Sequence, residues 1–446
     1  AMAMLVHEFL TESAAAHPDK TALVCESERI TYAELDRKTN QFARALVDAG
    51  VRRGDRVIVF LPNSMEMAIA VFGTLKAGGV FVPVNSSVKP DKLAYIANNC
   101  SAAVLVTGKT GMHVVRLAVN HLTSVPVVVT TEVEEPDLDD DGLRVLSLET
   151  ILESADGVPI HVPVVDQDLA CLIYTSGSTG DPKGVVCGHN NVVFASGSII
   201  TYLENVPDDV LINVLPFSFD YGLYQLLMTL RFGGTLVIDN AFAFPAAILR
   251  TIEREHVTGF PAVPTLVSML LKQDLREYDL SSLRYVTNTA AALPPAHIQQ
   301  LQRMMPHVRI YSMYGMTECK RTLYLPPERL ADKPSSVGIP IPGTEVWLED
   351  DQGARVGPGN VGELVVRGSH VMRGYWRDSK LTRTTYGDGP TPGERVLRSG
   401  DLFRMDDEGL LYFVSRKDDI IKSRGEKVAP KEVEAVICEL EGVAEA

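Results

Sequence analysis

Apolar and polar residues along the first two thirds of the chain alternate between the spacing of strands and that of helices. Short apolar runs at residues 57–61 and 80–84 predict buried strands, and the helical spacing of residues 64–76 predicts a helix that ends before Gly78 and Gly79. The same alternation recurs at residues 211–215, 222–231, 235–238, 246–255, 259–263 and 285–289. Strands that alternate with helices indicate parallel sheets with helical crossovers, so the pattern predicts an α/β fold.

The N-terminal segment and the last third follow different patterns. A helix is predicted over residues 5–18, then a hairpin at 22–25 and 29–31, and a capping box formed by Thr31 and Glu34 predicts the start of a second helix. From Gly338 to Phe413, short strand-like runs alternate with Gly and Pro turns, which predicts a small β-rich subdomain; the runs are residues 345–348, 362–366 and 410–414. Residues 415–425 are charged and rich in glycine, and a helix is predicted over 430–440.

Composition narrows the class of protein. With 446 residues and a formal net charge of −15, the chain is long enough for more than one domain and is a poor match for nucleic acid or an anionic membrane. No apolar stretch reaches the length of a membrane span, and the six cysteines are scattered without metal-ligand spacing, so we expect a reduced, cytoplasmic protein. The acidic run at residues 132–141 is best interpreted as a solvated loop, with an acidic binding tail as the alternative.

Residues 174–184, with the sequence YTSGSTGDPKG, are the strongest candidate for a binding site. They follow a continuous apolar run at residues 169–173, which predicts a buried strand, and an apolar pattern resumes at Val185. Hydroxyls, flexible glycines and Lys183 suit an anion such as phosphate, whereas a merely flexible loop is the alternative. The segment is not a Walker loop, because Asp181 and Pro182 separate Gly180 from Lys183.

Two further constellations suit a nucleotide. In residues 311–318, YSMYGMTE, a hydroxyl stands beside a carboxylate, which suits a phosphate oxygen and its Mg²⁺; a turn followed by a helix cap is the alternative. In Ser399-Gly400-Asp401, an aspartate at a glycine turn can accept hydrogen bonds from the two vicinal hydroxyls of a ribose, or simply cap the turn. Cys319 is a weak candidate for a catalytic thiol, because no base lies next to it in the sequence.

Together these motifs resemble those of the adenylate-forming superfamily, which includes acyl- and aryl-CoA ligases, luciferases and the adenylation domains of peptide synthetases. The resemblance implies that ATP activates a carboxylic acid as an acyl-adenylate with release of pyrophosphate. The acyl group then passes to a thiol, which is either coenzyme A or the phosphopantetheine of a carrier protein. Mg²⁺ is the implied metal ion, and neither nucleic acid nor a membrane span is implied.

The resemblance also assigns roles to residues. Catalytic roles fall to Lys183, Thr317 and Glu318, of which Glu318 also serves the Mg²⁺ ion. Nucleotide binding falls to Thr175, Ser176, Gly177, Ser178, Thr179, Gly180, Ala291, Tyr314, Asp401 and Arg416, with Tyr314 beside the adenine and Asp401 on the ribose. The acid pocket falls to Phe219, Asp220, Ala290, Ala292, Met313, Gly315 and Met316.

Some positions depart from the usual pattern of the superfamily. Ser415 precedes Arg416 where most members have glycine, and alanines fill residues 290–292 where glycines are frequent. The pair Phe219-Asp220 is similar to that of amino-acid-activating domains, in which the carboxylate holds the substrate ammonium group; capping of the next helix is the alternative for Asp220.

The resemblance implies three segments. The first is a large N-terminal adenylation lobe over residues 5–415, built of two mixed or parallel sheets with helices plus the β-rich subdomain. The second is a hinge at residues 416–418, centred on Asp418. The third is the start of a small α+β C-terminal lobe at residues 419–446. The superfamily carries a further lysine near the end of that lobe, and no matching stretch follows Glu441, so we expect the lobe to be incomplete.

The sequence leaves the acid and the acceptor thiol open. Residues 423–432 resemble those of acyl-CoA and acyl-carrier ligases, which favours an acid–thiol ligase. A stand-alone amino-acid adenylation domain that loads a carrier protein is the nearest alternative. A non-catalytic nucleotide-binding protein with the same fold is an alternative of another class.

Overall fold

The structure is a computed structural model in which two compact units are distinguished. It describes residues 3–124, 126–131, 143–154, 156–176, 181–289, 293–419, 421–423, 426–428, 433–434 and 436–437. The first unit comprises Ala1–Pro261, Gln273–Arg284 and Met372–Ser379, and the second comprises Ala262–Lys272, Tyr285–Val371 and Lys380–Ala446.

The first unit alternates strands with helices. Its strands are β1 (Thr21–Cys25), β2 (Glu28–Thr31), β3 (Arg56–Phe60), β4 (Val80–Pro83), β5 (Val104–Thr107), β6 (Val127–Thr130), β7 (Val145–Ser147), β8 (Leu169–Thr175), β9 (Lys183–Gly188), β10 (Val210–Asn213), β11 (Thr235–Ile238) and β12 (Gly259–Ala262). Its helices are α1 (Glu8–Ala16), α2 (Tyr32–Asp48), α3 (Met65–Lys76), α4 (Pro90–Cys100), α5 (Lys109–Ala118), α6 (Leu148–Ser154), α7 (His189–Leu203), α8 (Asp220–Phe232) and α9 (Pro245–Glu255).

These strands form two sheets that are largely parallel. One has the order β7-β6-β5-β3-β4-β8-β9, in which only the β8–β9 pair is antiparallel. In the other, β2, β1, β11, β10 and β12 are neighbours in that order, and only β1 and β2 run antiparallel. The predicted α/β class with parallel sheets and helical crossovers is therefore confirmed.

Local sequence accounts for the helix starts. The Thr31 hydroxyl accepts a hydrogen bond from the N–H of Glu34 at 3.2 Å, as the predicted cap of α2 requires. The first predicted helix is shorter than residues 5–18, because the Glu8 carboxylate accepts from the N–H groups of Met4 and Leu5 and holds the preceding residues in a turn. It ends at Ala16, just before His17 and Pro18.

The second unit is richer in antiparallel strands. Its described elements are α10 (Pro264–Leu270), β13 (Tyr285–Asn288), α11 (Pro295–Met304), β14 (Arg309–Met316), β15 (Lys320–Tyr324), β16 (Ile339–Pro340), β17 (Glu345–Glu349), β18 (Val361–Arg367), α12 (Ser379–Thr385), β19 (Tyr386–Asp388), β20 (Arg395–Met405), β21 (Leu411–Arg416), β22 (Ile421–Ser423) and β23 (Glu426–Val428). Strand β14 pairs in parallel with β13 and antiparallel with β15. A separate antiparallel sheet has the order β17-β18-β20-β19, with β21 also on β20, which confirms the predicted β-rich subdomain.

Two sequence predictions fall largely outside the described residues. The acidic loop at 132–141 lies wholly outside them, and of the helix predicted over 430–440 only residues 433–434 and 436–437 are described, as helical. Among the helices that the structure describes, none has the length and apolar character needed to cross a membrane.

Two histidines of the first unit are packed against each other between α1 and α7. The ring centroids of His7 and His189 are 5.8 Å apart in an edge-to-face arrangement, and Nδ1 of His189 accepts a hydrogen bond from the N–H of Val6 at 3.0 Å. Burial lowers the pKa of His7 to about 4. Burial, with His7 alongside, lowers the pKa of His189 to about 3. Both rings are therefore neutral in the folded protein near pH 7.

We expect this pair to make the folded protein less stable in mild acid. Between about pH 6.5 and pH 4 the unfolded chain binds protons at both rings and the folded chain does not, so the free energy of unfolding falls as the pH falls, by up to about 1.4 kcal/mol per pH unit for each histidine. His189→Gln keeps an acceptor for Val6 and removes one proton site, so it should flatten this slope in urea unfolding curves at pH 5 and 7. The exposed His161 provides the control, since His161→Gln should leave the slope unchanged. Equal slopes in wild type and His189→Gln would contradict the prediction.

Candidate active site

The Ser/Thr/Gly-rich segment connects two antiparallel strands at the edge of the seven-stranded sheet. Thr175 on β8 is opposite Lys183 on β9, and Tyr174 is opposite Gly184. Thr175 is half-buried and Ser176 is exposed, whereas Gly177, Ser178, Thr179 and Gly180 lie outside the described residues. The pairing gives the predicted phosphate loop a defined beginning and end, with Lys183 at its exit.

A later segment of the first unit packs along β9 and contacts this lysine. The N–H of Trp376 donates to the Gly184 carbonyl at 2.7 Å, and the N–H of Val186 donates to the Gly374 carbonyl at 2.9 Å. These bonds bring the Asp378 carboxylate to 3.5 Å from the Lys183 ammonium group. The sequence analysis missed Asp378. The sequence distinguishes this residue only as an acidic side chain shortly after the Tyr375-Trp376 pair.

In the second unit, Thr317 and Glu318 lie in the turn between β14 and β15. Both are half-buried, and Met316 before them is opposite Lys320 after them. The alternative interpretation, in which this pair caps a helix, is wrong, because the turn connects two antiparallel strands. The hydroxyl of Tyr386 donates to the backbone carbonyl of Glu318 at 3.4 Å.

The structure brings Tyr314 and Asp401 together. The Tyr314 hydroxyl donates to the Asp401 carboxylate at 2.6 Å, and its ring packs edge-to-face on Phe403 with centroids 4.9 Å apart. Burial, together with the charge of Asp401, raises the pKa of Tyr314 well above its ordinary value. Tyr314 is therefore a neutral donor that orients the carboxylate predicted to bind ribose, while its predicted place beside adenine stays a prediction.

Glu363 on β18 supports the turn that carries Asp401. One of its carboxylate oxygens accepts from the N–H of Gly400 at 3.0 Å, and the other accepts from the Lys417 ammonium group at 2.8 Å. Gly400 has φ +73°, a left-handed conformation that favours glycine. Sequence reasoning missed Glu363, because it stands in an apolar strand and its partners are distant in the chain.

Arg416 is the last residue of β21, and the predicted hinge begins with it. Arg416 is opposite Asp401 in the β20–β21 pair, with its Nε 4.0 Å from the carboxylate, and its side chain is 73% exposed. The next residue, Lys417, is held by Glu363. The guanidinium is thus near the candidate ribose site and largely open to solvent, while the hinge at Asp418 stays a prediction.

Asn63 fixes the segment before Phe219 and Asp220 in the first unit. Its side-chain amide donates to the Leu215 carbonyl at 2.8 Å and its oxygen accepts from the N–H of Phe217 at 2.8 Å. Asp220 is the first residue of α8, so it is not the cap residue that the alternative interpretation required, and it is half-buried. Phe219 precedes it and is 42% exposed. Nothing in the sequence indicated this role of Asn63 except its position just before a predicted helix.

Three of the other predicted pocket residues, Met313, Gly315 and Met316, lie at the end of β14. The pocket residues Ala290 and Ala292 lie outside the described residues, as does Ala291, which was assigned to nucleotide binding. A Cβ atom on Gly315 would come within 2.2 Å of the Lys320 carbonyl oxygen, so the β14–β15 pair requires glycine there. Met313 is buried, and its sulfur accepts from Nη1 of Arg321 at 3.6 Å.

Two other chemistries find no support. Burial raises the pKa of the Cys319 thiol to about 12, so it is not a thiolate nucleophile near neutral pH. Among the described side chains, no group of three or more His, Cys, Asp and Glu residues is arranged to hold a metal ion. A single carboxylate such as Glu318 still fits Mg²⁺ that is carried by the phosphates of a nucleotide, because Mg²⁺ commonly takes one or two protein carboxylates and keeps phosphate and water as its other ligands.

The chain belongs to the AMP-binding enzyme family, whose sequence profile matches residues 10–376. It is thereby an adenylate-forming enzyme by family, a group that uses ATP and that contains both acyl-CoA ligases and the adenylation domains of peptide synthetases. The resemblance deduced from the sequence motifs is confirmed.

Relatives of both kinds are similar over nearly the whole chain. Gramicidin S synthase 2 of Brevibacillus brevis is 30% identical over 446 residues, which are 99% of this chain and 9% of that protein. The long-chain-fatty-acid–CoA ligase of Bacillus subtilis (strain 168) is 28% identical, with 99% of this chain and 81% of that protein covered. The chain thus spans only a small part of the peptide synthetase.

Solved structures show the same fold. The complex of VinN with L-aspartate is 33% identical, has a TM-score of 0.79, and is matched over 92% of this chain and 98% of that one. The anthranilate CoA ligase AuaEII in complex with anthranoyl-AMP is 26% identical, has a TM-score of 0.91, and is matched over 100% of this chain and 84% of that one.

We expect Tyr314→Phe to weaken nucleotide binding. The variant keeps the ring packing and removes the hydrogen bond that orients Asp401, so the dissociation constant for ATP should rise about tenfold in a calorimetric titration, since a hydrogen bond to a charged group contributes about 1.5–3 kcal/mol. Tyr412 makes the same kind of bond to Asp406, at 3.0 Å, outside the predicted site. Tyr412→Phe should therefore leave ATP binding unchanged. Equal ATP binding by wild type and Tyr314→Phe would refute the proposed role of the pair.

Proposed function

We propose that the protein activates a carboxylic acid with ATP, forms an acyl-adenylate with release of pyrophosphate, and transfers the acyl group to a thiol. Membership of the AMP-binding enzyme family supports the first step. The observation that carries the proposal is the β8–β9 pairing, which sets Lys183 at the exit of a loop rich in hydroxyls and glycines. Such a loop offers backbone N–H groups and one positive charge to phosphate oxygens.

In the first half-reaction, the protein has little covalent chemistry to perform. The acid must attack the α-phosphate in line with the departing pyrophosphate, and the protein has to position both and neutralise phosphate charge. Lys183 would supply a positive charge, and it would exchange its contact with Asp378 for a phosphate oxygen. Asp401, oriented by Tyr314, would accept hydrogen bonds from the ribose hydroxyls. Thr317 would contact phosphate, and Glu318 would hold Mg²⁺, which adds positive charge when bound.

In the second half-reaction, a thiol attacks the acyl carbon and AMP leaves. Rotation of the C-terminal segment about Asp418 between the two half-reactions remains our proposal, as does the division into a lobe at 5–415, a hinge at 416–418 and a lobe that starts at 419. Lys417 is tied to Glu363, so the last residue before Asp418 has a fixed anchor on β18. In a hinge, a few residues undergo the change in backbone dihedral angles. A residue that is held in place next to Asp418 would confine this change to the hinge.

An amino acid is a second candidate for the substrate, and Asp220 is the observation that favours it. Asp220 is half-buried at the first position of α8, where its carboxylate would pair with a substrate ammonium group. VinN, whose structure matches 92% of this chain, has been crystallised with L-aspartate. On this proposal the acceptor is the phosphopantetheine of a carrier protein, as the similarity to gramicidin S synthase 2 suggests.

The first test is ATP–pyrophosphate exchange with fatty, aryl, dicarboxylic and amino acids. Exchange that depends on one class of acid is the expected result, and exchange limited to amino acids would select the second candidate. ATP binding without exchange for any of these acids would instead favour a non-catalytic nucleotide-binding protein.

The lysine variant tests the mechanism. Lys183→Ala should lower the exchange rate by about 10²–10³, the loss that accompanies removal of one group that stabilises developing charge. Lys272, an exposed lysine, provides the matched control, because Lys272→Ala should keep the wild-type rate. A wild-type rate in Lys183→Ala would show that the loop does not act on the phosphates.

A further inference from the structure

The C-terminal end of α4 contacts both sides of the candidate phosphate loop. The helix ends at Cys100, and Ser101 after it has φ +50°, the left-handed conformation with which helices commonly end. The last turn of a helix leaves carbonyl groups without a partner inside the helix, so these groups accept hydrogen bonds from elsewhere. Two of the donors here belong to a chain segment that packs beside the loop.

On the entry side, the side chain of Asn99 holds the last tyrosine before the loop. The hydroxyl of Tyr174 donates to Oδ1 of Asn99 at 2.5 Å. Burial raises the pKa of Tyr174 well above its ordinary value, so the hydroxyl keeps its proton and acts as the donor. The ring of Tyr174 lies against Gly184, where an added Cβ atom would come within 3.0 Å of it. The bond to Asn99 therefore fixes a ring that packs on the residue directly after Lys183.

On the exit side, the backbone of Asn99 holds the segment that packs along β9. Its carbonyl accepts from Nε1 of Trp376 at 3.0 Å and from Nη1 of Arg377 at 2.9 Å. The backbone N–H of Trp376 in turn donates to the Gly184 carbonyl at 2.7 Å. One residue of α4 thus contacts the strand before the loop with its side chain, and reaches the strand after the loop through Trp376.

The backbone is strained where this segment approaches Lys183. Arg377 has φ +55°, in the left-handed region that non-glycine residues rarely adopt. Its guanidinium donates to the Asn99 carbonyl and lies 5.4 Å from the ring centroid of Trp376. The next residue is Asp378, whose carboxylate is 3.5 Å from the Lys183 ammonium group. Strained backbone of this kind is concentrated at functional sites, where the surrounding contacts maintain it.

We propose that Asn99 is a positioning residue for the adenylation step, because it holds both strands beside the phosphate loop and thereby fixes where the Lys183 ammonium group lies. The inference rests on the proposed function, in which that group neutralises phosphate charge. The attraction between an ammonium group and a phosphate weakens with distance, and a side chain that is already held in place loses less entropy when the nucleotide binds. Asn99 acts through the two strands and does not bind the nucleotide itself.

The preceding residue, Asn98, provides a matched control. It is also an asparagine at the end of α4, but its side chain bonds to the segment after α5. Its Nδ2 donates to the His121 carbonyl at 2.8 Å, and its Oδ1 accepts from the N–H of Thr123 at 2.9 Å. These contacts involve neither β8 nor β9. The two asparagines therefore share their chemistry and their helix, and differ in what they hold.

The experiment measures ATP–pyrophosphate exchange, with the acid that supports it, for wild type and four single variants. Asn99→Ala and Tyr174→Phe remove the same hydrogen bond, so each should lower kcat/KM for ATP by about three- to tenfold and leave KM for the acid unchanged. Asn99→Asp keeps an acceptor for Tyr174 and should restore the wild-type value. Asn98→Ala should keep wild-type exchange even where it lowers the melting temperature.

Double variants show whether Asn99 acts through Tyr174 and Lys183. Asn99→Ala combined with Tyr174→Phe should be no worse than either single variant, because both remove one bond. In the Lys183→Ala background, Asn99→Ala should have no further effect, because the group that it positions is missing. A merely structural role would lower the rate by the same factor in both backgrounds.

Two results would overturn the inference. One is wild-type exchange in Asn99→Ala, and the other is an effect of Asn99→Ala that persists in full when Lys183 is also replaced. Where Asn99→Ala fails to fold, Tyr174→Phe keeps the packing of the ring and decides in its place, alone and combined with Lys183→Ala.

Failure of the proposed function gives a different outcome. If no acid supports exchange, adenylation fails as the function, and calorimetric titration of the same variants with ATP and Mg²⁺ decides the role of Asn99 separately. ATP binding that Asn99→Ala weakens by about three- to tenfold, but not when Lys183 is also replaced, would support the positioning role. Equal ATP binding by wild type, Asn99→Ala and Tyr174→Phe, or binding by none of them, would overturn it.

Discussion

The pairing of β8 with β9 is the constraint on which the candidate phosphate site depends. Strand β8 is hydrogen-bonded to β4 in parallel and to β9 antiparallel, so its connection to β9 is a hairpin loop at the edge of an otherwise parallel sheet. In most parallel α/β sheets a strand is followed by a helix, whose N-terminus supplies the anion site. Here the residues proposed to bind phosphate stand between two strands, and Lys183 of β9 is proposed to supply the positive charge.

In the second unit, the candidate ribose-binding residue is positioned by a series of side-chain hydrogen bonds and not by strand pairing alone. Tyr314 orients Asp401, and Glu363 connects the turn before Asp401 with Lys417. The Tyr314–Asp401 and Gly400–Glu363 hydrogen bonds are partly shielded from water, a condition under which hydrogen bonds to charged groups are strong, whereas the Lys417–Glu363 contact is exposed. One cluster therefore sets both the ribose candidate and the start of the candidate hinge, so a change in one is expected to influence the other.

Similarity establishes that the chain belongs to the adenylate-forming enzyme family and leaves the substrate open, because relatives of both kinds match nearly the whole chain. The acid is determined by the side chains that surround it, and these come from segments far apart in sequence. Asp220 is a charged residue among the positions assigned to the acid pocket, and a carboxylate there differs in chemistry from what a fatty acid needs. Charge at the pocket, more than overall similarity, is thus the property that separates the candidate substrates.

The sequence by itself determined the fold class and about half of the strands, and it singled out the residues of the nucleotide motifs, whereas helices such as α4, α5, α7 and α11 were not predicted. Periodic burial is a local property, which is why β3, α3, β4 and three strands of the β-rich subdomain (β17, β18 and β21) could be predicted within about two residues, whereas β19 and β20 were missed. Motif residues such as Lys183, Glu318 and Asp401 could be proposed from the sequence because their chemistry is concentrated in short segments.

Tertiary structure alone decided what supports these residues. Glu363 contacts Gly400 and Lys417 across strands, Asn63 holds the segment before Phe219, and Asp378 reaches Lys183 through a segment that packs on β9. The burial of Lys320 and Arg321 has the same origin. A charged residue in a strand carries no sign of whether it faces water, because burial and partners depend on chain segments that fold against it from far along the sequence.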